Sequence, residues 1–186
     1  MEYHIKTPVD ENTVRKLRAG DVIYITGTMV TLRDEGHARF LTECEEPPVD
    51  LKGAVLYHCG PITKRNGNGY EVVSAGPTTS MRLEKYEADF IGKTGVSVII
   101  GKGGMGEKTA EACVKNGCVH GIFPGGCAVS AAVHIKKVKG VVWEDLGMPE
   151  AMWIFEADDF GPVTVNVDAA GGNLMKEKSR EMRGRL

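Results

Sequence analysis

Apolar positions change their period several times along this chain. From Asp21 to Leu32 (DVIYITGTMVTL) β-branched residues predominate, which predicts a strand interrupted at Gly27. Asp34 is placed to cap a helix through Glu43, with Ala38 and Leu41 on its apolar side and Pro47-Pro48 beyond its end. Short strands follow at Ala54–His58 and Tyr70–Ser74, and Lys64–Gly69 (KRNGNG) reads as the loop joining them. After Thr79 or Ser80 as cap, Leu83, Tyr86 and Phe90 recur at helical spacing. Val96–Ile100 is a continuous apolar run with helical segments on either side, the pattern of a buried parallel strand. Gly106–Asn116 reads as a helix stopped at Gly117, and Cys118–Phe123 as the next buried strand, so Val96–Phe123 is a βαβ unit. His134 to Val167 reads as three strands with breaks near Gly147-Met148-Pro149 and Gly161-Pro162. Lys176–Leu186 is densely charged and fits a frayed helix, a disordered end or a docking segment. The expectation is a mixed α/β layer domain over residues 1–175 and a charged tail over 176–186.

Composition narrows the function classes. A chain of 186 residues is one ordinary domain with a real core. With 42% hydrophobic and 26% charged residues and a net charge of −2, nothing favours nucleic acid or a membrane surface. No apolar run approaches the roughly 20 residues of a membrane span, and the polar start MEYHIKTP is not a signal peptide. A cytoplasmic location is the expectation. Five cysteines, with no CxxC pair, argue against a disulfide framework and for reduced thiols.

Three segments carry candidate chemistry. Gly101-Lys102-Gly103-Gly104-Met105-Gly106 matches G-x-G-x-x-G between a strand and a helix. A dinucleotide site also needs an acid at the end of the next strand, and Gly121-Ile122-Phe123-Pro124 has none. What remains is a glycine turn whose N–H groups, with Lys102, suit an anion, or simply a tight turn with an exposed lysine. Gly76-Pro77-Thr78-Thr79-Ser80-Met81-Arg82 sets three hydroxyls and an arginine at a helix start, more than capping alone requires. Arg82 is suited to gripping a carboxylate, or is a solvated side chain. At the end of the first long strand, Arg33 and His37 are placed to reach a pocket, against the plainer possibility of a surface salt bridge from Arg33 to Glu35 or Glu43. Cys118, His120 and Cys127 match no zinc spacing, so no metal site is expected in this chain.

Together, GPTTSMR, GKGGM, FPGGCAVSAA and WEDLGMPEAMWIFEADDFGPVTVNVDAAGGNL resemble the β subunit of two-subunit class I fumarate hydratase and of L-tartrate dehydratase, and the C-terminal domain of the single-chain enzymes. The resemblance runs from about Leu17 to Leu174 and implies a swivelling β/β/α fold. It implies a hydro-lyase reaction, water added reversibly across the double bond of fumarate to give L-malate. It also implies a partner α subunit, in an α2β2 assembly, carrying a [4Fe–4S] cluster with one open iron, so this chain alone would fold and be inactive. Carried over by motif, Thr78 matches the proposed catalytic base, and Arg33, Arg82 and Lys102 match residues that hold the substrate carboxylates. His37 and Thr79 lie in matching segments as further substrate contacts. Many single-chain members have Lys-Gly-Asn-Arg-Ser at positions 102–106, so here the lysine is kept and the arginine is absent. L-tartrate or another 2-hydroxy diacid is the alternative substrate. A non-catalytic dicarboxylate-binding module is the alternative of another class.

Overall fold

The computed structural model describes residues 1–67 and 69–184. In chain order the elements are β1 (Glu2–Lys6), α1 (Glu11–Lys16), β2 (Val22–Thr31), α2 (Asp34–Glu43), β3 (Val55–Tyr57), β4 (Ile62–Asn66) and β5 (Gly69–Ser74). A 3-10 turn at Ser80–Leu83 leads into α3 (Glu84–Thr94), followed by β6 (Val98–Gly101), α4 (Glu107–Asn116), β7 (Val119–Ile122) and α5 (Ala128–Val133). The chain closes with β8 (Ile135–Val142), β9 (Met152–Val167) and α6 (Leu174–Arg183).

β1, β2, β3, β6 and β7 run parallel, each beside the next. β9 lies antiparallel to both β7 and β2, so β2, β3, β6, β7 and β9 close into a ring, with β8 added outside along β9. The side-chain period of two sorts these strands between two cores. Val55, Tyr57, Val98 and Ile100 point into the ring with Ile23, Ile25, Phe160 and Val163. Leu56 and Ile99 point outward, where Phe40 of α2, Phe90 and Ile91 of α3, and Ala112 and Cys113 of α4 cover them. Strands covered on both faces read as continuous apolar runs, which is why Val98–Ile100 carries no alternation. α3 and α4 both stop at glycines in the left-handed region, Gly95 at φ 66° and Gly117 at φ 67°. No helix of the described residues is long and apolar enough to cross a membrane.

Two expectations change, the loop at residues 62–66 and the strand count of the C-terminal region, while the N-terminus adds elements and the tail takes the helical one of its three readings. The polar N-terminus supplies β1, paired along β2, and α1, capped by Asp10. Residues 62–66 are strand β4 of a hairpin with β5, so the turn is confined to the end of KRNGNG; Asn68 lies outside the described residues. The C-terminal region has two strands rather than three, because β9 continues through Gly161-Pro162. There the register with β2 shifts between Val163 and Phe160, a bulge in which a residue without N–H interrupts no ladder bond. The charged tail is largely helix α6, capped by Asn173 and ion-paired from Lys176 to Glu107 of α4.

Candidate active site

Parallel strands bring their C-terminal ends to one edge, where open α/β sheets bind ligands. Arg33 follows β2, His58 to Gly60 follow β3, and Lys102 follows β6. The segment 77–80 is laced between the last two. Thr78 N–H donates to the His58 carbonyl at 2.6 Å, Lys102 N–H donates to the Thr78 carbonyl at 2.9 Å, and Ser80 N–H donates to the Lys102 carbonyl at 3.0 Å. Thr79 and Lys102 thereby pair as an isolated parallel bridge. These bonds fix the backbone of Thr78, Thr79 and Lys102 while leaving Thr78 and Thr79 half-buried and Lys102 exposed.

The arginines come in from the other side. Arg33 sits at the start of α2, with its Nη2 3.3 Å from Glu150 Oε1 and a buried Nε that has no hydrogen-bond partner among the described residues. Its guanidinium lies where a side chain at position 60 would project: a Cβ on Gly60 would be 2.5 Å from Arg33 Nη1. Of the plainer alternative, the salt bridge forms but with another acid: Glu150 pairs with Arg33 in place of Glu35 or Glu43 and also accepts the Glu35 N–H at 3.0 Å. Arg82, in the 3-10 turn, places Nη2 2.8 Å from Asp34 Oδ2. Asp34 is thus the first residue of α2 rather than its cap, and its carboxylate ties Arg82 to the segment that carries Arg33. Thr78, Arg33, Arg82 and Lys102 therefore belong to one edge.

The glycine turn is not an open anion site. Glu84 of α3 already occupies the N-terminus of α4, accepting from Gly106 N–H at 2.8 Å and from the Thr109 hydroxyl at 2.6 Å. A Cβ on Gly106 would overlap that carboxylate, so the last glycine of the motif serves an internal cap. Lys102, ahead of that cap, stays exposed.

His37 is fully buried and contributes no surface to a ligand, contrary to the expectation from its position in the sequence. Its ring donates from Nδ1 to the Arg33 carbonyl at 2.8 Å, and Nε2 lies 3.5 Å from Glu87 Oε2. The same Oε2 is 3.0 Å from His58 Nε2. Beyond His58 the polar chain continues: His58 Nδ1 to Ser80 Oγ at 3.1 Å, Ser80 Oγ to His120 Nε2 at 3.1 Å, and His120 Nδ1 to Asn166 Nδ2 at 3.3 Å. Gly101 makes room for it, since a Cβ there would collide with Ser80 Oγ. Burial works against ionising Glu87, but His58 and His37 outweigh it and hold the carboxyl well below the usual range. Burial pushes His120 down to about 3, helped by the neighbouring His58. It also lowers His58, against the pull of Glu87.

His37, His58 and Glu87 are also the one group of metal-ligating type among the described residues, with ligand atoms within 4.8 Å of one another. The five cysteines are free thiols and join no such group there. Of this polar cluster the sequence singled out His37, Ser80 and His120, each for another reason, but not His58, Glu87 or Asn166. One signal was available: Leu83, Glu87, Phe90 and Thr94 fall on one helical stripe, so a carboxylate stands at a core position.

The sequence that builds this edge has known relatives. The chain belongs to the fumarase C-terminus family, whose model matches residues 2–178. It is 47% identical over 181 residues to the L(+)-tartrate dehydratase subunit beta of Escherichia coli strain K12, covering 97% of this chain and 90% of that one. A putative L(+)-tartrate dehydratase subunit beta of Methanocaldococcus jannaschii is 38% identical over 190 residues, covering 100% of this chain and 97% of the other. A putative fumarate hydratase class I of Geobacillus stearothermophilus is 41% identical over 174 residues, covering 93% of this chain but 33% of that longer one.

Proposed function

We propose that this chain is the β subunit of a hydro-lyase that interconverts a four-carbon 2-hydroxy dicarboxylate and its dehydrated product, working with an α subunit. The placement of Arg33, Arg82, Lys102 and Thr78 at one sheet edge carries this reading. A dicarboxylate bears two negative charges, and cations on separate segments neutralise and orient it. The unpartnered Nε of Arg33 suits a planar carboxylate.

Removing a proton beside a carboxylate builds negative charge onto that carboxylate, which fixed Arg and Lys donors stabilise. Thr78 is the base or proton relay of this reading, its hydroxyl presented by a main chain bonded on both sides. A threonine hydroxyl needs activation, and no carboxylate of the described residues hydrogen-bonds to it, so the activating group is assigned to the partner subunit. A [4Fe–4S] cluster, also assigned to that subunit, supplies a Lewis acid for the departing hydroxyl. The swivelling β/β/α arrangement and an α2β2 assembly complete the proposal.

Two substrates fit this site. The motifs GPTTSMR and GKGGM suit either diacid; the relative named as a putative fumarate hydratase class I supports fumarate and L-malate. The relatives whose full length this chain covers are named for L(+)-tartrate, which supports L-tartrate equally. Anaerobic assay of the complex with both diacids tests the proposal, and turnover of either one upholds the hydro-lyase. A complex with an intact cluster that turns over neither would leave a dicarboxylate-binding module.

A further inference from the structure

Both ends of the buried polar chain are fixed by groups that cannot change roles. Met175 N–H can only donate, and it donates to Asn166 Oδ1 at 3.2 Å. Asn166 therefore turns its NH2 toward His120 Nδ1, which must accept. His120 then carries its proton on Nε2 and donates to Ser80 Oγ, and the Ser80 proton goes to His58 Nδ1. That leaves the His58 proton on Nε2, 3.0 Å from Glu87 Oε2 though outside hydrogen-bond geometry, in reach of a charge contact. At the other end the Arg33 carbonyl can only accept, so His37 carries a proton on Nδ1. Its Nε2 faces the same Glu87 oxygen at 3.5 Å, with all three side chains wholly buried.

A bare lone pair of His37 aimed at a carboxylate away from water is unfavourable, so one more positive charge belongs there. A metal ion is the poorer choice. His58 Nε2 is already protonated, no fourth His, Cys, Asp or Glu of the described residues joins the group, and structural zinc takes four ligands. A proton on His37 Nε2 gives one cation and one anion, neutral overall. The groups facing Glu87 are His37 from α2, with Asp34 further along, His58 after β3, and His120 with Cys118 from the β7 side.

This pair reaches both halves of the site. The Arg33 carbonyl accepts from the His37 ring and from the His37 backbone N–H at 2.9 Å. The His58 carbonyl accepts the Thr78 N–H at 2.6 Å, while the His58 ring holds Ser80. We propose that Glu87, with His37 as imidazolium and His58 as its Nε2–H tautomer, forms a buried ion pair whose function is to position Arg33 and Thr78 relative to each other. Glu87, His37 and His58 are positioning residues, since none touches a ligand. Their role rests on the hydro-lyase proposal, whereas the proton arrangement does not.

Two measurements separate these. Nitrogen-15 histidine spectra of the full chain at pH 7 should show one imidazole protonated on both nitrogens, His37, and two buried Nε2–H tautomers, His58 and His120. Elemental analysis should find no stoichiometric metal. In Glu87→Gln, circular dichroism should be unchanged while the His37 imidazolium pattern disappears. In the reconstituted complex that variant should lower kcat and raise KM together, reducing kcat/KM roughly 10- to 100-fold, because both a carboxylate grip and the proton-transfer group are displaced. Glu87→Asp should recover part of this. A neutral His37 in the unmodified chain, or one equivalent of bound metal, would overturn the ion pair. A Glu87→Gln complex that loses kcat with KM unchanged would reduce the pair to a fold-stabilising role. A wild-type complex inactive on both diacids would remove the hydro-lyase proposal alone, and the spectra would still decide the ion pair.

Discussion

At the scale of single residues, Thr78 and Glu87 hold opposite positions. Thr78 is half-exposed and fixed by main-chain bonds, so shortening its side chain disturbs little but the hydroxyl. Thr78→Ala is expected to lower turnover by about 100-fold or more with a much smaller rise in KM, measured by steady-state kinetics of the complex. An unchanged turnover number would rule out the base or relay role. As candidates, Thr78, Arg33, Arg82 and Lys102 could be picked from the sequence through the motifs that carry the family resemblance, since each alone also suits a cap, a salt bridge or a tight turn. Glu87 was not, because one acid in a helical stretch reads as solvated until the stripe Leu83, Glu87, Phe90, Thr94 is seen as the buried face. The anion site imagined at the glycine turn failed for a related reason: its occupant, Glu84, lies 22 residues away in sequence from Gly106.

At the scale of elements, the α2 boundaries Asp34–Glu43 and the Val96–Phe123 crossover follow the pattern closely, since local periodicity and glycine stops suffice there. β4 and the bulge in β9 were misread because Asn, Gly and Pro also occur inside strands at edges and bulges, a matter of pairing that local sequence does not carry. Two changes test what holds the helical layer. Phe90 packs its ring 4.8 Å from His37 and 5.1 Å from Phe40, fully buried. Phe90→Ala should cost about 3–5 kcal/mol in urea unfolding, with m unchanged. Gly106→Ala forces the Glu84 carboxylate off the start of α4 and should cost about 1–3 kcal/mol; a change within 0.5 kcal/mol would show that Glu84 does not cap α4.

At the scale of the whole molecule, the buried polar chain makes stability fall with acid. Glu87 is held below its ordinary 4.5, so its contribution is complete above that pH and is lost as pH falls further toward the folded value. His120 is lowered from 6.5 to about 3, so the unfolded chain takes up a proton below pH 6.5 that the folded chain refuses until about 3. His58 acts in the same direction. Thermal midpoints should therefore drop steadily from pH 6.5 toward 4, and His120→Gln should flatten the slope; a midpoint constant across that range would contradict it. What joins this polar core to function is the edge above it, and that claim needs the partner. The most direct test is anaerobic turnover of L-tartrate and of fumarate by this chain, alone and reconstituted with a cluster-bearing α subunit. Turnover only in the complex, lost in Thr78→Ala and weakened in Arg33, Arg82 and Lys102 variants, is the expected result. No turnover of either diacid by a complex whose cluster is intact would contradict the hydro-lyase proposal and withdraw the roles given to those four residues.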